Sequence, residues 1–462
     1  MKIAVCAKYF KGELNPFDAC ALESALRMEN AEVTVVAMAP PNAGEPLKQL
    51  TRLGVSRAIL LTDPAFAGSD TLATSYILSL VLRRLNPDLV LCGRQSIDGD
   101  TAQVGSCIAQ MLGFSLITNV MEITDCSKNI TCKTRAGIET AAFPALLTIE
   151  RINTLRFASF RSKTNEIEIW NHKDIGADKN RCGLIGSPTK VLKTFENMTP
   201  KRNCQFITFD ELIPLVDKLR KQEITSIAPA QSGGKLENVW IVGEELRNTA
   251  LSIAKNITVL QKQSASEIAK LAETHKPEVI LWPADLWGRK TAPQAAAILQ
   301  TGLCADCTHL EADDKKLYMY RPALGGNIMA KIECKTLPQM ATVRTTTQPE
   351  IDVIVAGGKG AKDCFGKMQE FAKTIGADIG ASRGLVDMGL APYETQIGLT
   401  GKTVSPKVYI AIGISGAVQH TCAIEQAGTI IAVNPDKNAR IFEYADYGII
   451  GMFSVTIYNS GK

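Results

Sequence analysis

Toward its C-terminal end the chain sets hydroxyl, amide and imidazole groups on glycine turns between apolar runs. In order these are Gly384-Leu385-Val386-Asp387, Gln396-Ile397-Gly398-Leu399-Thr400-Gly401-Lys402, Gly413-Ile414-Ser415-Gly416-Ala417-Val418-Gln419-His420 and Ala445-Asp446-Tyr447-Gly448. The apolar runs read as strands, and turns at the carboxyl ends of parallel strands are where open α/β sheets hold nucleotide cofactors. Glycine from Gly413 to Gly416 would let backbone N–H groups approach such a ligand, where a side chain would block it. A second turn, Gly93 to Gly105, follows the strand-like Leu89-Val90-Leu91. Its small residues Gly99, Ala102 and Gly105 suit wrapping a phosphate with amides. Asp98 and Asp100 in that turn read as caps of a helix start rather than a catalytic carboxylate pair.

Other chemistries lack residues to carry them. Cys304-Ala305-Asp306-Cys307 has CxxC spacing, yet no second pair or histidine pair completes four ligands, although His309 is close, so no metal site is expected. The chain has no nucleophile elbow, no P-loop and no G-x-G-x-x-G after a strand, which leaves hydrolase and kinase readings empty and no catalytic residue assigned.

The elements that must position these turns alternate along the chain. Val33-Thr34-Val35-Val36, Ala58-Ile59-Leu60-Leu61 and Leu89-Val90-Leu91 read as buried parallel strands, and Thr71 to Leu85 as a crossover helix. Right-handed crossovers then give a doubly wound sheet. The pattern repeats: Pro87-Asp88-Leu89-Val90-Leu91 returns as Pro277-Glu278-Val279-Ile280-Leu281, Thr101-Ala102 as Thr291-Ala292, and Phe143-Pro144-Ala145-Leu146-Leu147-Thr148 as Leu337-Pro338-Gln339-Met340-Ala341-Thr342. The stretch between the copies is irregular and basic near Gly186-Ser187-Pro188-Thr189. It holds an amphipathic pattern from Leu212 to Leu219 interrupted by Pro214, then the flexible-looking Ala228 to Lys235. A third α/β unit begins near Asp352-Val353-Ile354-Val355, after the polar run Thr345 to Pro349.

Bulk composition agrees with several domains. The 462 residues exceed one core, and 45% hydrophobic with 21% charged residues is ordinary for a globular protein. A net charge of +4 without basic blocks among aromatics gives no support to nucleic-acid binding. No apolar run approaches the roughly 18–20 residues of a membrane span. Thirteen scattered cysteines and an opening directly on the strand Met1 to Ala7 lead us to expect a cytoplasmic protein.

The motifs resemble those of the electron transfer flavoprotein family, with the small (beta) subunit fused ahead of the large (alpha) one. The small subunit is matched at Asn15-Pro16-Phe17-Asp18, at Ala65 to Thr74 and at Cys92 to Thr101, and its C-terminal arm at Gly186 to Thr189. The large one is matched at Thr301 to Cys307, Arg321 to Ala330, Pro338 to Arg344 and the glycine turns quoted first. The resemblance implies two similar doubly wound nucleotide-binding-type α/β domains plus a C-terminal Rossmann-like FAD-binding domain. The segments would be 1–190 (small-subunit-like), 191–235 (arm and linker), 236–349 (large-subunit N-terminal) and 350–462 (FAD-binding). The chain departs from the family where a hairpin-like insert usually follows the first strand, since Tyr9-Phe10 runs almost directly into Asn15-Pro16. The large-subunit half is also shortened between Val239 and Pro277 and between Arg344 and Asp352. Lys359 stands where the family has arginine in a Gly-Gly-Arg-Gly turn, keeping the charge without the planar grip on phosphate.

The same resemblance assigns residues. His420 would lie at the flavin O2 edge, Thr400 at N5 and Arg383 over the ring system, with Ser382 and Gln396 nearby. Gly413, Ser415, Gly416, Gln419 and Lys359 would complete the FAD site, and Asn434 and Asp446 would hold its ribose and adenine end. A lone histidine is more often a core residue; the surrounding motif favours the cofactor role. Reduced flavin carries negative charge on its pyrimidine ring, so donors near N1 and O2 raise its potential. A second adenine nucleotide, AMP or FAD, would involve Ala7, Ser96, Gly99, Ala102, Gln103 and Val104. The implied partner is an acyl-CoA dehydrogenase or similar flavoenzyme. The run Gly99 to Gly105 looks more like that of bifurcating members, which would add NADH and ferredoxin or flavodoxin. A simple shuttle with one FAD and structural AMP, or a redox-inactive adenine-nucleotide-binding regulator, are the alternatives.

Overall fold

The computed structural model describes residues 1–196, 201–221, 236–313, 315–344, 346–347 and 352–453. The junction expected at 228–235 and residues 345, 348 and 349 of the polar run lie outside them. The described residues fall in two units. One draws on Met1–Thr194, Gln231–Leu324 and Ala330–Val343, the other on Phe195–Ala230, Gly325–Met329 and Arg344–Lys462.

The first unit contains both copies of the repeat. In the first copy, most strands are apolar runs without alternation, buried on both faces as parallel sheets require, while Ser115–Asp125 is polar in part and half-buried. They are β1 (Lys2–Ala7), followed by helix α1 (Pro16–Leu26), then β2 (Glu32–Met38), β3 (Arg57–Leu61), helix α2 (Thr71–Leu85), β4 (Leu89–Gly93), helix α3 (Val104–Leu112), β5 (Ser115–Asp125) and β6 (Ala145–Ile149). They pair in parallel in the order β3-β2-β1-β4-β6-β5. Strand Glu168–Trp170 extends one edge, and an antiparallel hairpin, Ile130–Thr134 with Gly137–Ala141, extends the other. Helix α2 has the bounds expected from its periodicity. Asp70 accepts the N–H groups of Leu72 and Ala73 at 3.0 Å, and Asn86 ends the helix in the left-handed region.

Two expectations for this copy change. Tyr9–Phe10 and Glu13–Leu14 pair as a minimal hairpin. Its turn residues Lys11 and Gly12 hold φ of +52° and +84°, so the region after β1 is shortened rather than bare. The stretch around Thr189 is not irregular either, since Thr189–Glu196 is a strand.

The second copy is smaller: β7 (Leu236–Val242), β8 (Ala254–Leu260), helix α4 (Ala265–His275), β9 (Val279–Pro283), helix α5 (Leu286–Leu299), β10 (Leu303–Cys307) and β11 (Gln339–Val343), in the parallel order β8-β7-β9-β11-β10. Helices α3 and α5 occupy equivalent places in the two copies and pack on each other. Cys107 Sγ lies 3.3 Å from the Pro293 carbonyl, and Leu72, Cys107 and Ala297 form an apolar contact. Gln103 Nε2 donates to the Leu303 carbonyl at 3.2 Å.

The second unit is built on β12 (Val353–Gly357), helix α6 (Phe365–Thr374), β13 (Asp378–Ser382), β14 (Gln396–Ile397), β15 (Val408–Ile412), the short helix α7 (Val418–Thr421), β16 (Thr429–Asn434) and β17 (Tyr447–Ile450). The sheet order is β17-β16-β15-β12-β13-β14, and strand Gln205–Phe206 from the arm adds in parallel beside β17. The arm also supplies helix Phe209–Arg220, which continues through Pro214. Thr208 and Glu211 form a reciprocal cap at its start, and burial of Leu212 and Val216 in the core outweighs the hydrogen bond that proline forgoes. Arg202 clamps the arm: Nη1 donates to Asp446 Oδ2 at 2.6 Å and the Gly428 carbonyl at 3.1 Å, Nη2 to the Glu425 and Ala427 carbonyls at 3.1 and 2.6 Å. No helix among the described residues is long and apolar enough to cross a membrane.

Replacing Arg202 by Ala should therefore destabilise the second unit by roughly 2–3 kcal/mol, the scale of hydrogen bonds to a charged group. Lysine should recover only part, since it cannot fork to four acceptors. Denaturant unfolding read with limited proteolysis of the arm checks this, and an unaltered midpoint for the alanine variant would contradict it.

Candidate functional site

Strand order reverses between β1 and β4 in the first copy, so the crossovers leave on opposite faces and a crevice opens outside the two carboxyl ends. Ala7 ends β1 and Gly93 ends β4 there. Asp18 of α1 ties the two ends together, accepting the Lys8 N–H at 2.8 Å and the Gly93 N–H at 2.9 Å. A Cβ on Gly93 would stand 2.4 Å from Asp18 Oδ1, so only glycine allows the contact. Burial pushes the Asp18 carboxyl up to about 6, against the pull of these N–H groups, Asn15 and the Lys8 charge.

The turn that follows is held open without a cap. Lys8 Nζ meets Asp98 at 2.7 Å, with Ser96 Oγ at 3.5 Å, and Gln95 Nε2 donates to Asp100 at 2.8 Å. These partners hold both carboxylates, so neither caps a helix start as the sequence reading expected. Helix α3 instead starts after Gln103 with no side-chain cap. From Ala102 to Ser106 no backbone N–H meets an acceptor among the described residues. Ala102 has φ +54° and Gln103 is right-handed, an alternation of hands that gathers N–H groups into an anion-binding hollow. Arg321, from strand Lys316–Ala323, donates to the Gly99 and Asp100 carbonyls at 2.7 and 3.1 Å and fixes the turn from the second copy. Val104 begins the helix, and Gly105 lets it lie on the sheet, where a Cβ would stand 2.7 Å from Thr148 Cγ2. The Gln103 side chain is committed elsewhere, to Thr71 and Leu303.

At the equivalent place of the second copy, between β7 and β9, an ion-pair cluster spans the strand ends. Helix α5 starts at once, and Asp285 caps it through the Gly288 N–H at 2.7 Å. Lys262 bridges Asp285 at 2.6 Å and Glu245 at 3.4 Å across the strand ends. Thr291 and Ala292, which match Thr101 and Ala102 by sequence offset, lie inside α5. The CxxC cysteines are buried in β10, with Cys307 Sγ 3.7 Å from the Cys304 carbonyl.

In the second unit the reversal falls between β12 and β15. Protein packing alone requires Gly413: its φ is +61°, and a Cβ would meet Ala361 N at 2.6 Å. Gly416, at φ +84°, would similarly meet Ile441 N at 2.2 Å. The glycines thus serve protein packing, and the Gly413 N–H itself goes to Val433. From Ile414 to Gln419, by contrast, no backbone N–H has an acceptor among the described residues. Ser415 and Gln419 are exposed in this run.

Neighbouring turns converge on it. Ser382 ends β13, and Lys359 Cβ lies 3.7 Å from where a Gly384 side chain would begin. Arg383 pairs with Asp387 at 3.2 Å on the surface. Gln396 Nε2 donates to Thr400 Oγ1 at 2.8 Å while Gln396 Oε1 is buried without a partner. The Leu399 N–H donates to the Gln419 carbonyl at 2.6 Å, which stitches the Thr400 loop to the segment bearing His420. His420 is buried; Tyr409 Oη lies 2.8 Å from its Nε2, and Nδ1 has no hydrogen-bond partner among the described residues. Burial holds the imidazole down to about 4, partly offset by the nearby Ile397 backbone.

Two assigned residues are engaged otherwise. Asn434 uses its amide to brace the turn, donating to the Ile414 carbonyl at 2.9 Å and accepting from the Asp436 N–H at 3.0 Å. Asp446 precedes β17 at the amino-terminal end of the sheet, away from the turns, and its carboxylate takes Arg202 and the Ile430 N–H. Sequence reading gave no role to Tyr409, Asp18 or Arg321. The one signal for Tyr409 was a phenol inside a wholly apolar run, whose hydroxyl must find a partner when buried.

The two buried groups give opposite pH dependences. His420 is neutral when folded, so its contribution is complete above about pH 6.5 and is lost as pH falls through 4. Asp18 is raised, so its contribution is complete below about pH 3.8 and is lost as pH rises through 6. Each amounts to roughly 3 kcal/mol. Unfolding midpoints across pH 4–7 should lose the rising component in His420→Gln and the falling one in Asp18→Asn; slopes matching the wild type would refute the assignment.

The comparisons with known proteins agree with this geometry. The electron transfer flavoprotein domain family matches residues 3–175 and 252–370, more than half of the chain, and the electron transfer flavoprotein FAD-binding domain family matches residues 349–425. An electron transfer flavoprotein subunit alpha from Thermoanaerobacterium thermosaccharolyticum is 41% identical over 233 residues, covering 40% of this chain and 71% of the relative. Protein FixA from Azorhizobium caulinodans is 38% identical over 222 residues, covering 44% of this chain and 79% of the relative. Protein FixB from Clostridium saccharobutylicum is 37% identical over 230 residues, covering 40% and 69%. The chain belongs to the electron transfer flavoprotein family, and its C-terminal part is an FAD-binding domain of that family.

Proposed function

We propose that this chain is a small and a large subunit fused in one polypeptide, with segments 1–190, 191–235, 236–349 and 350–462 as described above. It carries electrons through FAD between an acyl-CoA dehydrogenase-type partner and other redox proteins. The observation that carries the reading is the run of unsatisfied N–H groups from Ile414 to Gln419 beside an orphaned buried imidazole nitrogen. These groups are donors short of acceptors, and a flavin dinucleotide offers acceptors of both kinds, phosphate oxygens and a pyrimidine edge. Bound FAD supplies the electron uptake and release. The chain's part is to bind and tune: the Ile414–Gln419 amides, Ser382, Ser415 and Gln419 hold the cofactor, Lys359 and Arg383 add positive charge, and Gln396 and Thr400 orient it. His420 presents a neutral donor. The Asp446 carboxylate is left to Arg202, and Asn434 acts through the turn it braces.

A second adenine nucleotide belongs, on this reading, at the β1/β4 crevice, supported by the uncapped start of α3 and the left-handed Ala102. Ala7, Ser96, Gly99, Ala102, Gln103 and Val104 surround it, Gln103 through its backbone. If it is FAD, the chain oxidises NADH and splits the electron pair between high- and low-potential acceptors such as ferredoxin or flavodoxin. If it is AMP, the chain is a simple shuttle. Thirteen cysteines without a disulfide suit a reducing, cytoplasmic setting.

The purified protein should be yellow, and a truncation ending before Ile351 should hold no flavin; full occupancy in that truncation would remove the assignment. His420→Ala should lower the potential of the bound FAD, since a hydrogen bond to a charged group is worth roughly 1.5–3 kcal/mol; redox titration of the folded variant reads it. The FAD-to-polypeptide ratio decides between the two forms of the second site. One FAD with released AMP and no reduction by NADH gives the shuttle, two FAD with rapid reduction the bifurcating form.

A further inference from the structure

Tyr409 stands in the middle of β15, flanked by Ile354 of β12 and Ile430 of β16, with no exposure to solvent. The layer around it is apolar: Ile354, Ile397, Val404, Ala423, Ile424 and Ile430 belong to the same core cluster. Burial pushes its phenol well above the usual value, so the hydroxyl keeps its proton. Among the described residues the hydroxyl makes one hydrogen bond, to His420 Nε2 at 2.8 Å.

One hydrogen lies between these two atoms, and either could own it. If His420 donated from Nε2, the phenol proton would have no acceptor and Nδ1 would be a buried lone pair with no donor. Two polar groups would then be orphaned in an apolar layer. If Tyr409 donates, both atoms of the bond are satisfied and only the Nδ1 proton is left short of a full hydrogen bond among the described residues, with the Ile397 backbone as a polar neighbour of the ring. Unpaired buried polar groups are costly, so the second arrangement prevails. The hydrogen bond at one ring nitrogen thereby fixes which nitrogen carries the proton.

We infer that Tyr409 is a positioning residue: its hydroxyl holds His420 as the neutral Nδ1–H tautomer, which leaves the Nδ1 proton as the donor offered to the cofactor. The inference rests on the proposed FAD site and names the residue that sets the state of its imidazole. A phenylalanine would fill the same space without the proton. Either ring nitrogen could then carry hydrogen, and the donor would be present only part of the time.

The test uses the whole protein as purified, labelled with nitrogen-15 in its four histidines, with His420→Gln identifying the His420 signals. The wild type should give the ring-nitrogen pattern of an Nδ1–H tautomer. Tyr409→Phe should keep its FAD, show a mixed or Nε2–H pattern, and move the FAD potential in the same direction as His420→Ala. An Nε2–H pattern in the wild type overturns the inference, and that measurement decides alone should the variant fail to fold. A Tyr409→Phe protein whose tautomer or FAD potential matches the wild type overturns it as well. A wild-type protein without FAD would instead refute the proposed site, because the tautomer is read from the imidazole whether or not the cofactor is bound.

Discussion

Each of the three mainly parallel sheets among the described residues has one point where its successive crossovers turn to opposite sides, and the gap at that point is the constraint on which the rest depends. Crossovers leaving on opposite faces separate two adjacent carboxyl ends, where backbone groups lose their sheet partners. Something must satisfy or occupy that place, and the chain uses three solutions. In the first copy of the repeat, Asp18 ties Lys8 to Gly93 and leaves the following turn open. In the second copy, Lys262 with Asp285 and Glu245 forms an ion-pair cluster across the strand ends. In the second unit, glycine backbones pack against each other so closely that no Cβ fits.

The two copies show how small a change separates an open turn from an immediate helix start. Both carry a Thr-Ala pair at equal distance from the strand, yet only one pair is helical. Asp285 satisfies the first turn of α5 at once, so the helix starts directly after the strand. In the first copy no side chain caps the early residues, Ala102 turns left-handed, and the helix waits until Val104. Arg321 then fixes the exposed turn through two carbonyls, so the second copy buttresses the crevice of the first.

The turn proposed to bind the cofactor in the second unit separates groups that hold the protein from groups left without a partner among the described residues. Gly413, Gly416 and Asn434 stabilise the turn itself, and Asp446 with Arg202 fastens the arm to the opposite end of the sheet. Among the described residues, what is left unsatisfied is the run of amides from Ile414 to Gln419 and the His420 Nδ1 atom, a donor in the inferred tautomer. Since the His420 ring is neutral, the donor exists without a buried charge.

Much of this was legible in the chain. Apolar runs without alternation gave the parallel strands, helical spacing gave α2 to the residue, and the paired motifs around Leu89 and Val279 gave the internal repeat. The glycine turns marked a candidate site because glycine is costly elsewhere, whereas His420 was singled out by the family resemblance and not by its residue type. Three things were not legible. Whether a carboxylate caps a helix or meets a cation depends on what lies across the crevice, so Asp98 and Asp100 looked like caps until Lys8 and Gln95 were seen beside them. Whether a glycine serves a ligand or a neighbouring backbone depends on close approach from distant sequence, as at Gly413 and Ala361. And a tyrosine in an apolar run shows a strand but not its partner; only folding brings its hydroxyl to His420 Nε2. The sequence by itself determined which segments form strands and turns, because that is set by local spacing and side-chain type. The tertiary structure decided which polar groups are spent and which are left over, because hydrogen-bond satisfaction is a property of residues brought together from far along the chain.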